Sequence, residues 1–533
     1  MGMKLLQAII VSLALFFAGC ASQQTAPQSQ KLPSESAGAG MMGPNMMGMG
    51  AVPQGTLFRP ASYEPRQPTG QVSIQDGGSF RLEAKIIATE LFGKKQFLYG
   101  YNSQLPGPTL KVKQGSEIKV EFKNSLDQPT TVHWHGLRLE NRFDGVPGAT
   151  QAEVAPGESF SYTLAFPDAG VYWYHPHVRE EMQQERGLYG LILVEPNDAD
   201  YYGPADAEHT IVLDDILLGQ ENEPIPFPED VTNFAMMGRF GNKPLVNGKE
   251  SETISAKTGQ DIRISFLNTA NVRPFNISVQ GARLKMVSSD GGKFEQEFFA
   301  DSFAISPSER YTAEVSFSKP GTYEILSSTP FSTAKLGEII VSGEEQPQSP
   351  DYLSLRTNKD VIDSIAPYRA MFSAQPDFEY ELSPSIPGAT MGMELMMDHN
   401  EDGIEWEDTM FGMNMISTNE SLTWRLKDSA TGKYNMDASQ EVPIGKPFKI
   451  RLRNPEDSLH PMQHPIHLHG AQFLVVEKDG VKNSNLAWKD TVLVPVGSYV
   501  DIVSYFPNAG EWMMHCHIAE HLSSGMMTSF KAV

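Results

Sequence analysis

One motif, present three times, limits what this chain can fold into. A glycine is followed after two residues by three apolar positions in alternation and then by an asparagine. The copies are Gly115 to Asn124 with Ile118, Val120 and Phe122, Gly259 to Asn268 with Ile262, Ile264 and Phe266, and Gly445 to Asn454 with Phe448, Ile450 and Leu452. Period-two alternation entered through a glycine reads as a turn leading into a half-buried strand. A second motif tracks the first. Pro156 leads to Gly170-Val171-Tyr172-Trp173-Tyr174-His175, Pro307 to Gly321-Thr322-Tyr323-Glu324-Ile325-Leu326, and Pro495 to Gly510-Glu511-Trp512-Met513-Met514-His515. Three copies of one β-sandwich account for both motifs, so the predicted class is all-β. A length of 533 residues agrees, since it exceeds one core and suggests about three domains. Their expected spans are 67–200, 201–345 and 346–533.

The copies differ in one chemical respect. Five residues after the second glycine stand His175, Leu326 and His515. The outer copies also carry Val132-His133-Trp134-His135-Gly136 and Ile466-His467-Leu468-His469-Gly470, where the middle copy has Phe275-Asn276-Ile277-Ser278. The middle domain is therefore expected to hold no metal and to act as a spacer. Ten of the thirteen histidines fall in four short segments: His133 and His135; His175 and His177; His464, His467 and His469; His515, His517 and His521. Scattered core histidines would not cluster in this way. A His-x-His pair on a strand puts both rings on one face, as a polynuclear site requires.

The run His515-Cys516-His517-Ile518-Ala519-Glu520-His521 encloses a cysteine. Read as a strand, it turns Cys516 to one side and His515 and His517 to the other, so one strand serves two metal sites. Cys516, His521, a second imidazole and a long thioether contact from Met526 make the trigonal His2Cys set of a blue-copper electron-transfer centre. With His464 and His521 assigned there, eight histidines remain: His133, His135, His175, His177, His467, His469, His515 and His517. Eight imidazoles suit three copper ions with positions open to an oxygen species.

These motifs resemble those of the multicopper oxidases, the family of laccases, cuprous oxidases and ferroxidases, from about Phe80 to Val533. The resemblance implies three consecutive cupredoxin-like Greek-key domains, a type 1 copper in the third and a trinuclear cluster between the first and third, four copper ions in all. It implies His133 and His467 for the type 2 copper. It implies His135, His175 and His517 for one type 3 copper and His177, His469 and His515 for the other. The reaction it implies couples one-electron oxidation of a substrate to four-electron reduction of O2 to water. Asp144, nine residues after His135, resembles the family's acid near the type 2 copper, though Asp144-Gly145 also suits an ordinary turn. Many bacterial relatives have an acid directly after the last type 1 histidine, where this chain has Leu522, so Glu520 becomes the candidate for the second proton route.

Between Met391 and Met415 seven methionines (Met391, Met393, Met396, Met397, Met410, Met413, Met415) alternate with Asp398, Glu401, Asp402, Glu405, Glu407 and Asp408. Methionine packs irregular gaps in any core, but the acids are too dense here for a clean apolar stripe. Such insertions mark bacterial cuprous oxidases, and Met462 and His460 match that family's substrate-copper positions, with His460 in place of an acid. The expected substrate is Cu(I), in copper tolerance. The alternatives are a laccase-like phenol oxidase, a ferroxidase, or a copper-sequestering lipoprotein without turnover.

A formal charge of −23 argues against a nucleic-acid partner. Residues 1–19 read as an export signal: Lys4, then an apolar run from Leu5 to Ala18 that is short for a membrane span. Phe17-Ala18-Gly19-Cys20 resembles a lipoprotein box that would lipidate Cys20, the alternatives being a plain signal peptide or an uncleaved anchor. Ala21 points to an outer-membrane address on the periplasmic side, with the lipid as the sole membrane contact and a monomer as the expected state. Residues 20–66 read as a tether whose Met41 to Met49 cluster suits soft Cu(I) or a plain spacer. With Cys20 lipidated, Cys516 has no partner, which fits an exported protein whose last thiol is a ligand.

Overall fold

Each glycine-to-asparagine repeat forms a central strand: Glu117–Asn124, Asp261–Asn268 and Phe448–Arg453. Each pairs in parallel with an earlier strand and antiparallel with a later one, the mixed pairing of a Greek-key sandwich. In the first copy burial alternates residue by residue, whereas the middle copy is buried along nearly its whole length. The closing asparagine has one job in all three. Asn124 Nδ2 donates to the carbonyls of Gln128 and Val154, Asn268 Nδ2 to those of Arg273 and Ile305, and Asn454 Nδ2 to those of Met462 and Val494. The amide satisfies buried carbonyls of the chain that crosses over after the strand. An apolar residue could not.

The computed structural model describes residues 55–388 and 402–533. Cys20, Met41 to Met49, and Met391, Met393, Met396 and Met397 lie outside the described residues. The strands form six sheets in three facing pairs, giving three cupredoxin-like sandwiches in sequence. Their cores are built on fully buried Trp134 and Tyr162, on Phe266 and Ile277, and on Trp424, Trp512 and Phe530. Burial of side chains this size contributes roughly 1.5–3 kcal/mol each. Among the described residues no helix is long and apolar enough to cross a membrane.

The second motif forms Gly170–His175, Gly321–Ser328 and Gly510–Cys516. In both outer domains the His-x-His strand lies antiparallel to it in the same register, His133 opposite His175 and His467 opposite His515. At the matching place in the middle domain Ser278 faces Leu326.

Two readings of the sequence are refined. The strand Gly510–Cys516 stops at the cysteine, and His521 sits on a one-turn helix, Ala519–Ser523. The expected alternation nevertheless extends one residue further, because His517 N donates to Pro465 O at 2.7 Å. The middle domain also does more than separate its neighbours. Its segment 232–238 crosses to the third domain, where Ala235 O accepts from Trp424 Nε1, Met236 N donates to Ser417 Oγ, and Asn414 bonds both Met237 N and Gly238 O.

Candidate metal centre

The first and third domains meet at the eight histidines. His133, His135 and His175 form one group with their ligand atoms close together, His133, His467 and His469 another, and His177, His469 and His515 a third. The rings of His135, His175 and His517 have centroids 5.0–5.7 Å apart. His133 and His467 lie 5.7 Å apart. The first and third domains supply four rings each, and all eight are buried.

A glycine follows His133-Trp134-His135 and His467-Leu468-His469, and packing explains why. A Cβ on Gly136 (φ +84°) would fall 2.5 Å from Asp490 Oδ2, and one on Gly470 (φ +64°) 2.2 Å from the ring of Trp512. The chain turns out of the strand at that point, with no room for a side chain.

Ring orientation decides whether these residues fit metal ions. His133 Nδ1 donates to Asp144 O at 2.7 Å, His175 Nδ1 to Pro176 O at 2.8 Å and His467 Nδ1 to Asp490 O at 2.8 Å. His177 Nδ1 sits 2.9 Å from Glu180 Oε1. In each of these four rings Nε2 is buried without a hydrogen-bond partner. His135 is reversed: Nε2 faces Asp490 Oδ1 at 3.0 Å and Nδ1 is the bare atom. Both ring nitrogens of His517 are unpartnered. Burial first, then the neighbouring imidazoles, hold His135, His175, His467, His469 and His515 well below the ordinary histidine range. Burial lowers His517 to about 4. Neutral rings anchored on one side and bare on the other are what metal ligation requires.

The cysteine group is smaller. Cys516 Sγ lies 3.5 Å from His464 Nδ1 and 3.7 Å from His521 Nδ1, and the two nitrogens are 3.3 Å apart. A trigonal set with bonds of about 2.0–2.3 Å would space its donors about 3.5–3.8 Å apart, so this triangle fits a metal nearly without rearrangement. Burial pushes the Cys516 thiol up and lowers His464 to about 3. Met526 is fully buried, and its backbone closes the group: Cys516 N donates to Met526 O and Met526 N to His521 O.

The outward edges of this group are closed. His521 Nε2 donates to Met236 O at 3.3 Å, and the Trp424 ring packs 4.2 Å from His521 and 5.0 Å from His464. Met462 and His460 are buried beside them, with the rings of His460 and Trp424 6.2 Å apart. Of the described insertion residues, Met410 packs against the third-domain core, Met415 is half-buried and Met413 is exposed on the short helix Phe411–Ile416.

Asp144 Oδ2 accepts from His469 Nδ1 at 2.8 Å, while Oδ1 has no hydrogen-bond partner. Glu520 Oε1 accepts from Asn271 Nδ2 at 3.4 Å and Oε2 is unpartnered. Burial raises the Glu520 carboxyl to about 8. Three contributors were not picked out from sequence: Glu180, Asp490 and Arg310. Glu180, three residues after His177 at the start of a helical turn, was the one with a local signal.

The multicopper oxidase family profiles match residues 84–199, 199–340 and 409–533, one for each sandwich. The chain is 30% identical over 459 residues to multicopper oxidase MmcO of Mycobacterium tuberculosis, covering 80% of this chain and 82% of that one. It is 27% identical over 467 residues to a Staphylococcus aureus multicopper oxidase, covering 85% and 88%. In fold it resembles the multicopper oxidase of Campylobacter jejuni, described as a metallo-oxidase, with a TM-score of 0.66 and 24% identity, over 90% of this chain and 98% of that one. With the histidine and cysteine groups arranged to receive metal, these matches place the chain in the multicopper oxidase family, oxidoreductases whose cofactors are one type 1, one type 2 and two type 3 copper ions.

Proposed function

We propose that this multicopper oxidase takes its electrons from Cu(I) and serves as a cuprous oxidase. The observation that carries this reading is the closure around His464 and His521. The Met236 carbonyl occupies the outer nitrogen of His521, and Trp424 covers both rings. A planar phenol needs an open ring edge, whereas a single soft ion needs a few thioethers. Met462, buried two residues before His464, is one such donor, and the methionines of the insertion are further candidates.

His464, Cys516 and His521 would hold the type 1 copper, with the Met526 thioether as a further donor. His133 and His467 would hold the type 2 ion. His135, His175 and His517, and His177, His469 and His515, would hold the two type 3 ions. When bound, the copper ions supply the one-electron oxidation of substrate and the storage of the four electrons that reducing O2 to water requires. Cys516 is bonded through its backbone to His515 and His517, a covalent link between the two groups of donors. Asp144 orients His133 and His469, and we assign it and Glu520 as proton-holding groups at Oδ1 and Oε2, the carboxylate oxygens that no hydrogen bond occupies.

The test replaces Met391, Met393, Met396, Met397 and Met462 with leucine, which keeps volume and removes the thioethers. Cu(I) oxidation should fall at least tenfold while oxidation of a bulky phenol is unchanged. Equal loss on both substrates would sink the reading. An export signal with lipid on Cys20 remains part of the same proposal, testable by the mass of the mature N-terminus.

A further inference from the structure

Asp490 stands immediately before the strand Thr491–Val494 and binds in three directions. Its Oδ1 is 3.0 Å from His135 Nε2, its backbone carbonyl accepts from His467 Nδ1 at 2.8 Å, and both carboxylate oxygens accept from the Arg310 guanidinium, Nη1 at 2.6 Å from Oδ1. The Asp490 carboxylate and Arg310 are fully buried, as is His135. Arg310 comes from the middle domain, at the start of the strand Arg310–Ser316, and its Nε donates to Val171 O of the first domain at 2.9 Å. Three domains therefore converge on one carboxylate.

The chemistry of that carboxylate fixes a proton. Paired fork to fork with a guanidinium, both Asp490 carboxylate oxygens act as acceptors, so His135 carries its proton on Nε2, the ring atom that faces them. The lone pair is then on Nδ1, the atom left without a partner. His133, His175, His177 and His467 are held the other way round, by Nδ1. We infer that Asp490, with Arg310 as its counter-ion, is a positioning residue that selects Nδ1 of His135 as the atom presented to copper. A domain that contributes no ligand thereby sets the ligand atom of one ring. This rests on His135 being a copper ligand, as proposed above.

The rival explanation is an ion pair that only holds domains together. Removing one partner would leave a buried charge unpaired, so the test removes both, as the double variant Asp490→Leu/Arg310→Met. The first readout is 15N NMR of the imidazole rings in copper-free protein, with the His135 signals identified by their loss in His135→Ala. The wild type should show His135 protonated at Nε2 alone, and the variant a mixture or the Nδ1-protonated form. On reloading, the variant should keep its blue absorption yet bind fewer copper ions per chain than wild type. An unchanged tautomer with full copper loading, and a lowered melting temperature alone, would overturn the inference. Full loading of His135→Ala would instead overturn the ligand assignment on which it rests. If the double variant does not fold, Asp490→Asn carries the same readouts: its amide can accept or donate, so a mixed tautomer supports the inference and a pure Nε2–H form overturns it.

Discussion

The Nε2 atoms of His469 and His515 lie 3.0 Å apart, although neither ring has a proton to place between them. His469 Nδ1 donates to the Asp144 carboxylate and His515 Nδ1 to the Cys516 carbonyl. Each neutral ring therefore turns a bare lone pair toward the other, which is unfavourable unless a cation sits near both. Copper binding should relieve this strain and stabilise the fold. Stripping the metal with a chelator should lower the melting temperature by roughly 5–10 °C, with recovery on reloading. A melting temperature indifferent to copper would contradict this.

Cys516 is the donor that distinguishes the smaller group from the histidine cluster. Cys516→Ser should abolish the intense visible absorption and lower the copper content by about one ion per chain, while the eight-histidine cluster still loads. Retained colour would overturn the assignment. Oxidase activity with any one-electron donor should fall by at least a hundredfold, on the order of 3 kcal/mol or more in transition-state terms.

The fold and the gathering of the histidines into one buried cluster were legible in the sequence because both are carried by local patterns. Alternation around Ile118, Val120 and Phe122 declares a strand, and His-x-His declares a shared face, without reference to anything distant. The groups that orient those rings were not legible. Arg310 and Asp490 are 180 residues apart, and only the packing of three domains makes them neighbours. The covering of the cysteine group was hidden for the same reason. Met236 meets His521 through a backbone carbonyl, which no side-chain pattern can announce.

Asn414 fastens that covering. Its side chain accepts from Met237 N at 2.9 Å and donates to Gly238 O at 2.8 Å and to Asp408 Oδ2 at 2.9 Å. Asn414→Ala should loosen the segment from Thr232 to Gly238 at a cost of about 1–3 kcal/mol in stability. Oxidation of a bulky phenol should rise several-fold relative to that of Cu(I). A fall on both substrates would show that the segment supports the ligands rather than screening them.

Asp214 offers a pH test away from the metal ligands. It is buried, accepts from Tyr189 OH at 2.5 Å and from Asp215 N at 2.8 Å, and burial raises its carboxyl well above the ordinary range. A carboxyl raised in the folded state binds its proton more tightly there than in the unfolded chain. Its contribution to stability is therefore lost as pH rises from the ordinary aspartate range toward the folded value. Asp214→Asn, fixed neutral, should gain on the wild type in melting temperature between pH 5 and pH 8, measured on copper-free protein. A difference that does not change with pH would refute this.

The most direct measurement follows oxygen uptake by the copper-loaded protein with Cu(I), Fe(II) and a bulky phenol supplied in turn, with peroxide assayed and uncatalysed oxidation subtracted. Uptake should be fastest with Cu(I), with one O2 consumed for every four Cu(I) oxidised and no peroxide formed. Peroxide as the product would contradict four-electron reduction at the histidine cluster, and faster turnover of the phenol would contradict the closure around His464 and His521 as the basis of substrate choice.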